Sequence, residues 1–87
     1  MNTKVLLVFY HPGKHLSDKA EEIINKHLPS DIEVQYIDID AVSECLDITK
    51  EYGIHMTPTI ILLDDGEEIN REYGNLTPKL FLKFINC

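Results

Sequence analysis

Cysteine is scarce in this chain of 87 residues, occurring only at positions 45 and 87. The two cysteines are far apart and form no Cys-x-x-Cys pair, so their spacing fits neither a zinc site nor a disulfide framework. We interpret Cys45 as a small apolar residue of a short helix and Cys87 as an exposed thiol at the chain end. This pattern favours a reducing, cytoplasmic setting, and we expect neither a metal nor another cofactor.

Basic residues are also few. Eight lysines and arginines stand against fifteen aspartates and glutamates, which gives a formal charge of -7 at pH 7. Because nucleic-acid affinity depends largely on cationic neutralisation of phosphates, this balance argues against a nucleic-acid partner. The simplest interpretation of the acidic composition is solubility, although a basic protein partner remains open.

Long hydrophobic runs are absent as well. The apolar run over residues 5–10 is too short to span a bilayer and is not followed by a small-residue cleavage site, so we expect neither a membrane association nor an export signal. Internal repeats, low-complexity tracts and linkers are also lacking. The length therefore predicts one domain, residues 1–87, with a single core.

The hydrophobic pattern predicts the element order βαβαββα. Predicted strands cover residues 5–10, 32–40, 59–63 and 68–73, and predicted helices begin near Leu16, Val42 and Pro78. The first strand lacks alternation, which is typical of a strand covered on both faces. Asp64-Asp65-Gly66 is typical of a hairpin turn, and Thr77-Pro78 of a helix cap followed by a proline at the first helical position.

Two finer expectations concern the helices. Ser17 and Asp18 are candidate caps of the first helix, where Asp18-x-x-Glu21 resembles a capping box. Helical spacing in the last helix predicts a buried side made of Leu80, Phe81, Phe84 and Ile85.

The segments that connect these elements resemble those of thioredoxins. Residues 52–63, Tyr-Gly-Ile-His-Met-Thr-Pro-Thr-Ile-Ile-Leu-Leu, resemble the thioredoxin segment Tyr-Gly-Ile-x-x-x-Pro-Thr and the apolar strand that follows it. Gly66 and Gly74 fall where the family has a hairpin glycine and a glycine before the last helix, and residues 5–10 resemble its central strand. The resemblance covers nearly the whole chain. It implies a minimal, glutaredoxin-like α/β fold, βαβαββα, with a four-stranded mixed sheet covered by helices on both faces.

The resemblance also implies a cis peptide bond before Pro58, because the family has a cis-proline at this position. A proline lacks the N–H donor of other residues, and its place before the strand leaves the backbone of Thr57 available to pair with an extended peptide. An arbitrary X-Pro bond in a folded protein is cis only about 5% of the time. The cis expectation therefore depends on the resemblance alone.

The family's redox chemistry has no counterpart at the matching positions. This chemistry needs a thiolate at a helix N-terminus and a second thiol three residues later. Counting from the end of the first strand places these groups at Lys14 and Ser17. The buried acid of the family is matched by Val8, and its nearby lysine by Tyr36. We therefore predict that the chain is not a dithiol oxidoreductase.

The leading hypothesis is a non-catalytic module that binds a protein or an extended peptide. Its predicted surface surrounds the former active-site loop and consists of Tyr10, His11, Pro12, Gly13, Lys14, His15, Ser17, Met56, Thr57, Pro58, Gly74 and Asn75. One alternative is a thiol-disulfide or glutathione-linked redox protein that acts through Cys45, Cys87 or a bound cofactor. A second alternative is a stable domain without a retained site.

The histidines add a less favoured alternative. His11, His15 and His55 are expected near the loop, and three imidazoles can hold a transition metal. No acidic or thiol ligand is placed beside them, however, and no family motif supports a metal site. A hydrolase built on Lys14 or Ser17 is also disfavoured, because only His11 and His15 lie close enough in sequence to act as a base.

Overall fold

The computed structural model describes residues 4–40 and 43–86, which form four strands and three helices. In chain order these are β1 (Lys4–Tyr10), α1 (His15–His27), β2 (Glu33–Asp38), α2 (Ser43–Tyr52), β3 (Thr59–Asp64), β4 (Glu67–Tyr73) and α3 (Pro78–Ile85). The predicted order βαβαββα is confirmed. The interpretations of Cys45 and Cys87 lie outside the described part of the chain, because no side chain from residue 43 to 47 and no part of residue 87 is described.

The four strands form one mixed sheet in the order β2-β1-β3-β4. β1 pairs parallel with β2 and antiparallel with β3, which in turn pairs antiparallel with β4. In this register Phe9, near the end of β1, lies beside both Ile37 of β2 and Thr59 of β3. The loops after β1 and β2 and the loop before β3 therefore meet at one end of the sheet, which we call the loop end.

The core has two layers because β1 is buried on both faces. Leu6 and Val8 belong to the cluster formed with α1 and α3, whereas Leu7 and Phe9 belong to the cluster on the α2 side. The ring of Phe9 lies 5.9 Å from that of Tyr52 in α2, measured between centroids. Helices thus cover both faces of the sheet, as predicted from the family resemblance.

Turn and cap residues act largely as predicted. Asp65 and Gly66 have positive φ angles of 54° and 84°, the combination that a two-residue hairpin between twisted strands requires. The hydroxyl of Thr77 accepts a hydrogen bond of 3.2 Å from the N–H of Leu80 at the start of α3. Both local predictions are confirmed.

The predicted buried side of α3 is correct for Phe81, Phe84 and Ile85 but wrong for Leu80, which is 43% exposed. Residues 81, 84 and 85 form a narrow stripe around the helix. Leu80 lies about a quarter-turn from the middle of that stripe, since successive residues are separated by about 100°. An eight-residue helix that packs on one side of the sheet leaves this position at the solvent margin.

The capping box predicted for α1 is also wrong. The helix begins at His15 with Lys14 as its N-cap, and no side chain caps it there. Ser17 and Asp18 therefore lie inside the first turn, where Asp18 accepts a hydrogen bond from the N–H of Gly13 at 3.3 Å. None of the described helices is long and apolar enough to cross a membrane.

Candidate functional site

Hydrogen bonds hold the loop end together. The N–H of Ile39, just after β2, donates to the carbonyl of Tyr10 at 3.1 Å. On the other side of β1, the N–H of Gly74 donates to the carbonyl of Pro58 at 3.0 Å. The ammonium of Lys19 in α1 reaches the side-chain oxygen of Asn75 at 3.0 Å. These bonds bring the ends of β1, β2 and β4 to the same place as the start of β3.

The segment before β3 has a defined conformation. The Thr57–Pro58 peptide bond is cis, as the resemblance implied. The hydroxyl of Thr59 donates to the carbonyl of Met56 at 2.6 Å, and the N–H of Gly74 donates to the carbonyl of Pro58. Gly74 has a φ of 88°, a conformation that a residue with a side chain adopts only with strain. The backbone of Thr57 is therefore presented between two anchored neighbours.

His11 organises the loop between β1 and α1. Its N–H donates to the hydroxyl oxygen of Ser17 at 3.0 Å, and its carbonyl accepts from the N–H of Lys14 at 3.1 Å. Its imidazole Nε2 lies 2.6 Å from a carboxylate oxygen of Asp40 in the loop after β2. One residue thus ties the β1–α1 loop to the first turn of α1 and to the end of β2.

The two positions that matched the family's cysteines have different roles here. Ser17 is only 1% exposed, and its oxygen is engaged by the loop amide of His11. Lys14 is exposed at the N-cap of α1. A lysine ammonium is disfavoured at the positive end of a helix and cannot attack a disulfide as a thiolate does. Neither side chain provides thiol chemistry.

Uncharged residues occupy the positions of the family's buried acid and nearby lysine. Val8 is fully buried in the core between the sheet and α1. The phenol of Tyr36 donates to the side-chain oxygen of Asn25 at 2.8 Å, and its ring packs edge-on against Tyr10 with centroids 5.7 Å apart. Burial, followed by the charge of Glu21, raises the pKa of Tyr36, so this phenol is neutral at physiological pH.

The histidines expected near the loop do not form a metal site within the described residues, where no group of three or more His, Cys, Asp or Glu side chains is placed to hold an ion. His11 is paired with Asp40, while His15 and His55 are exposed. The sequence interpretation missed the role of Asp40. The parallel pairing of β1 and β2 is the signal that could have found it, since parallel strands end at the same edge of a sheet.

Sequence interpretation also missed a cavity beside the loop end, on the α2 face of the sheet. It has a volume of about 320 Å³, and Ile54, His55, Met56, Arg71 and Tyr73 contribute to its walls. A second cavity of about 290 Å³ shares Ile54, His55 and Met56 with the first and extends toward Ile39. Of the predicted binding residues, only Met56 and Thr57 line these cavities, while Pro58 and Gly74 line a much smaller one against α1.

Comparison with known sequences agrees with this architecture. The family model described as a thioredoxin-like domain matches residues 2–86. The protein named Thioredoxin-2 from Pyricularia oryzae is 36% identical over 47 residues, which cover 54% of this chain and 27% of the relative. The chain therefore matches only about a quarter of that curated relative's length.

Solved structures show the same fold. A mutant thioredoxin from Halobacterium salinarum superposes with a TM-score of 0.80 at 25% identity, covering 94% of this chain and 71% of the other. Oxidized mitochondrial thioredoxin 3 from Saccharomyces cerevisiae gives 0.78 at 26% identity, with coverages of 95% and 76%. Trxlp from Edwardsiella tarda, at 19% identity, shares the fold with a TM-score of 0.82 over 93% of this chain and 80% of its own. The chain belongs to the thioredoxin-like domain family.

Proposed function

We propose that this chain is a redox-inactive thioredoxin-like module that binds a protein or an extended peptide segment at the loop end of its sheet. The proposal is supported most directly by the role of Ser17 in the loop. At the position of the family's second thiol, the buried hydroxyl of Ser17 accepts a hydrogen bond from the N–H of His11. This bond stabilises the conformation of the loop. With Lys14 at the first position, the loop has a defined conformation but lacks both reacting groups.

Exposed apolar side chains support binding at this end. Six large apolar side chains are more than a third exposed among the described residues, and three of them, Leu16, Met56 and Tyr73, belong to the loop end. Exposed apolar side chains at one end of a fold suit an interaction surface. A partner strand pairing with Thr57 would gain main-chain hydrogen bonds and cover part of this apolar area.

The binding proposal can be tested by panning a random library of short peptides against the chain. Selected peptides would then be titrated while the backbone amides are followed by NMR. We expect the largest shifts at Met56, Thr57 and Gly74, and weaker binding when the ligand's central backbone amides are N-methylated, because this removes the donors of the paired strand. Failure to select any peptide, or shifts confined to the exposed side of α3, would refute the proposal.

Thiol-disulfide exchange is the rival function, supported by the names of the relatives and by the oxidized form in which one of them was solved. Insulin-reduction and glutathione-disulfide turnover assays distinguish the two. We expect no turnover above the uncatalysed rate. Turnover that disappears in Cys45→Ser or Cys87→Ser would establish the redox function and refute the proposal.

A further inference from the structure

The cavity of about 320 Å³ on the α2 face is large enough for one bulky side chain or a small ligand. It opens beside Met56, which directly precedes Thr57 in the sequence. Its walls therefore adjoin the backbone at which we propose that an extended segment pairs. The chemistry of four wall residues, His55, Met56, Arg71 and Tyr73, indicates what the cavity would hold.

Arg71 is held rigidly in the cavity wall. Its Nε and Nη2 donate to the two carboxylate oxygens of Glu68 at 2.9 and 2.8 Å, and its Nη1 donates to the carbonyl of Tyr52 at 2.7 Å. These bonds use donors that lie in the plane of the guanidinium, so they fix the group without covering its flat faces. A preorganised guanidinium face is a good surface for an aromatic ring.

A β-bulge produces this arrangement. Residues three apart in a regular strand lie on opposite faces, yet Glu68 and Arg71 are in contact. The register between β3 and β4 shifts between Leu62 and Leu63, so that Leu62 pairs with Asn70 and Leu63 with Glu68. The extra residue, Ile69, brings the carboxylate and the guanidinium to the same side.

Three other wall residues, His55, Met56 and Tyr73, favour the same ligand. Tyr73 lies two residues from Arg71 on the same face of β4 and is 59% exposed, and Met56 is 48% exposed. A phenol ring stacks with other rings, a thioether sulfur makes favourable contacts with ring edges, and an imidazole is itself aromatic. All four groups interact better with a planar aromatic ring than with a saturated side chain of equal size.

We infer that this cavity receives a planar aromatic side chain from the extended segment bound at Thr57. This inference rests on the proposed function for the source of the ring. Side chains of a paired strand alternate between the two faces of the sheet, so residues of that segment on the α2 side would point toward the cavity. The partner class is therefore an extended segment with an aromatic residue beside its paired backbone.

The cavity can be tested without any peptide. N-acetyl-phenylalaninamide and N-acetyl-cyclohexylalaninamide differ only in the ring, which is planar and aromatic in the first and saturated and puckered in the second. Each would be titrated while the amides of Met56, Arg71 and Tyr73 are followed by NMR. We expect the aromatic probe to bind at least about fivefold more tightly, which is the lower end of the combined ring-stacking and cation–π contributions. Equal affinities, or shifts at other residues, would overturn the inference.

Variants of the cavity wall test whether the preference for the aromatic probe arises in this cavity. Tyr73→Leu keeps an apolar side chain at an exposed position and should reduce the preference to about twofold or less, as should Arg71→Lys, which keeps the charge but loses the planar face. Leu82→Ala, an exposed apolar change on α3, should leave the preference unchanged. A preference that survives both cavity variants would overturn the inference.

The same substitution in a panned peptide separates this inference from the proposed function. A peptide that binds at Thr57 equally well with cyclohexylalanine or phenylalanine at every position would refute the aromatic cavity and leave the binding function standing. If panning yields no peptide while the free aromatic probe binds selectively at Tyr73, the binding function fails; the preference of the cavity for an aromatic ring then stands, but an extended segment is not the source of that ring.

Discussion

The hydroxyl oxygen of Ser17 accepts a hydrogen bond of 3.0 Å from the backbone N–H of His11, six residues earlier in the chain. This bond closes the loop between β1 and α1 over a buried side chain. This hydrogen bond stabilises the loop without any contribution from thiol chemistry. Removal of the hydroxyl should therefore lower the stability of the protein.

Ser17→Ala should destabilise the protein by about 1–2 kcal/mol. An amide left without its partner in a partly buried site costs about 1–3 kcal/mol, and the better helix propensity of alanine returns about 0.5 kcal/mol. Urea unfolding followed by circular dichroism measures the change. Ser30→Ala, in an exposed loop, is the matched control and should stay within about 0.5 kcal/mol of the parent. Equal effects of the two variants would contradict the role of Ser17.

Thiol chemistry should return when its groups are restored. In a background with Cys45→Ser and Cys87→Ser, and with dithiothreitol supplied to regenerate the dithiol, the double variant Lys14→Cys/Ser17→Cys is expected to reduce insulin disulfides slowly, because the first thiol then lies at the N-cap of α1, where a thiolate is stabilised. Lys14→Cys alone should be slower still, since without the second thiol its mixed disulfide is resolved only by external dithiothreitol. A folded double variant without any turnover would show that more than the two thiols is missing.

Deprotonation of two phenols, those of Tyr10 and Tyr36, should lower the stability of the folded protein at alkaline pH. Burial raises the pKa of both Tyr10 and Tyr36, with a further contribution from Asp38 for Tyr10 and from Glu21 for Tyr36. The folded state therefore binds these protons more tightly than the unfolded state does. Their contribution is complete below the unfolded value of 10.0 and is lost as the pH rises through the higher folded values.

The measurement is the free energy of unfolding as a function of pH, together with an ultraviolet titration of phenolate. Tyr36→Phe should flatten the alkaline decline and remove one late-titrating phenol from the spectrum. The control is Tyr73→Phe, at a strongly exposed position. A decline above about pH 10 that is unchanged in Tyr36→Phe would contradict this account.

Met56→Glu should weaken the binding of panned peptides at least about tenfold, because it replaces an exposed apolar side chain beside Thr57 with a charged one. Met56 is 48% exposed, so folding should be little affected. Leu82→Glu makes the same change at an exposed position of α3 and should leave the affinity unchanged. Isothermal titration calorimetry measures both variants, and equal losses would place the interaction elsewhere.

Local chemistry made much of the fold predictable. The unalternating run of β1, the positive-φ turn at Asp65-Gly66 and the Thr77 cap each depend on neighbours in the chain, and all are found as expected. The expectations for Ser17 as a cap and for Leu80 as a core residue failed. The first depended on where α1 begins, and the second on which side of a short helix meets the sheet.

The order of strands and helices follows from local patterns along the chain, because hydrophobic spacing, glycine and proline act within a few residues. Which distant side chains meet depends on how the strands pair. Parallel pairing of β1 with β2 brings Asp40 to His11, and a bulge in β4 turns Glu68 and Arg71 to one face beside Tyr73. These contacts follow from the pairing and register of strands that are distant in sequence. No local segment of the sequence specifies either of them.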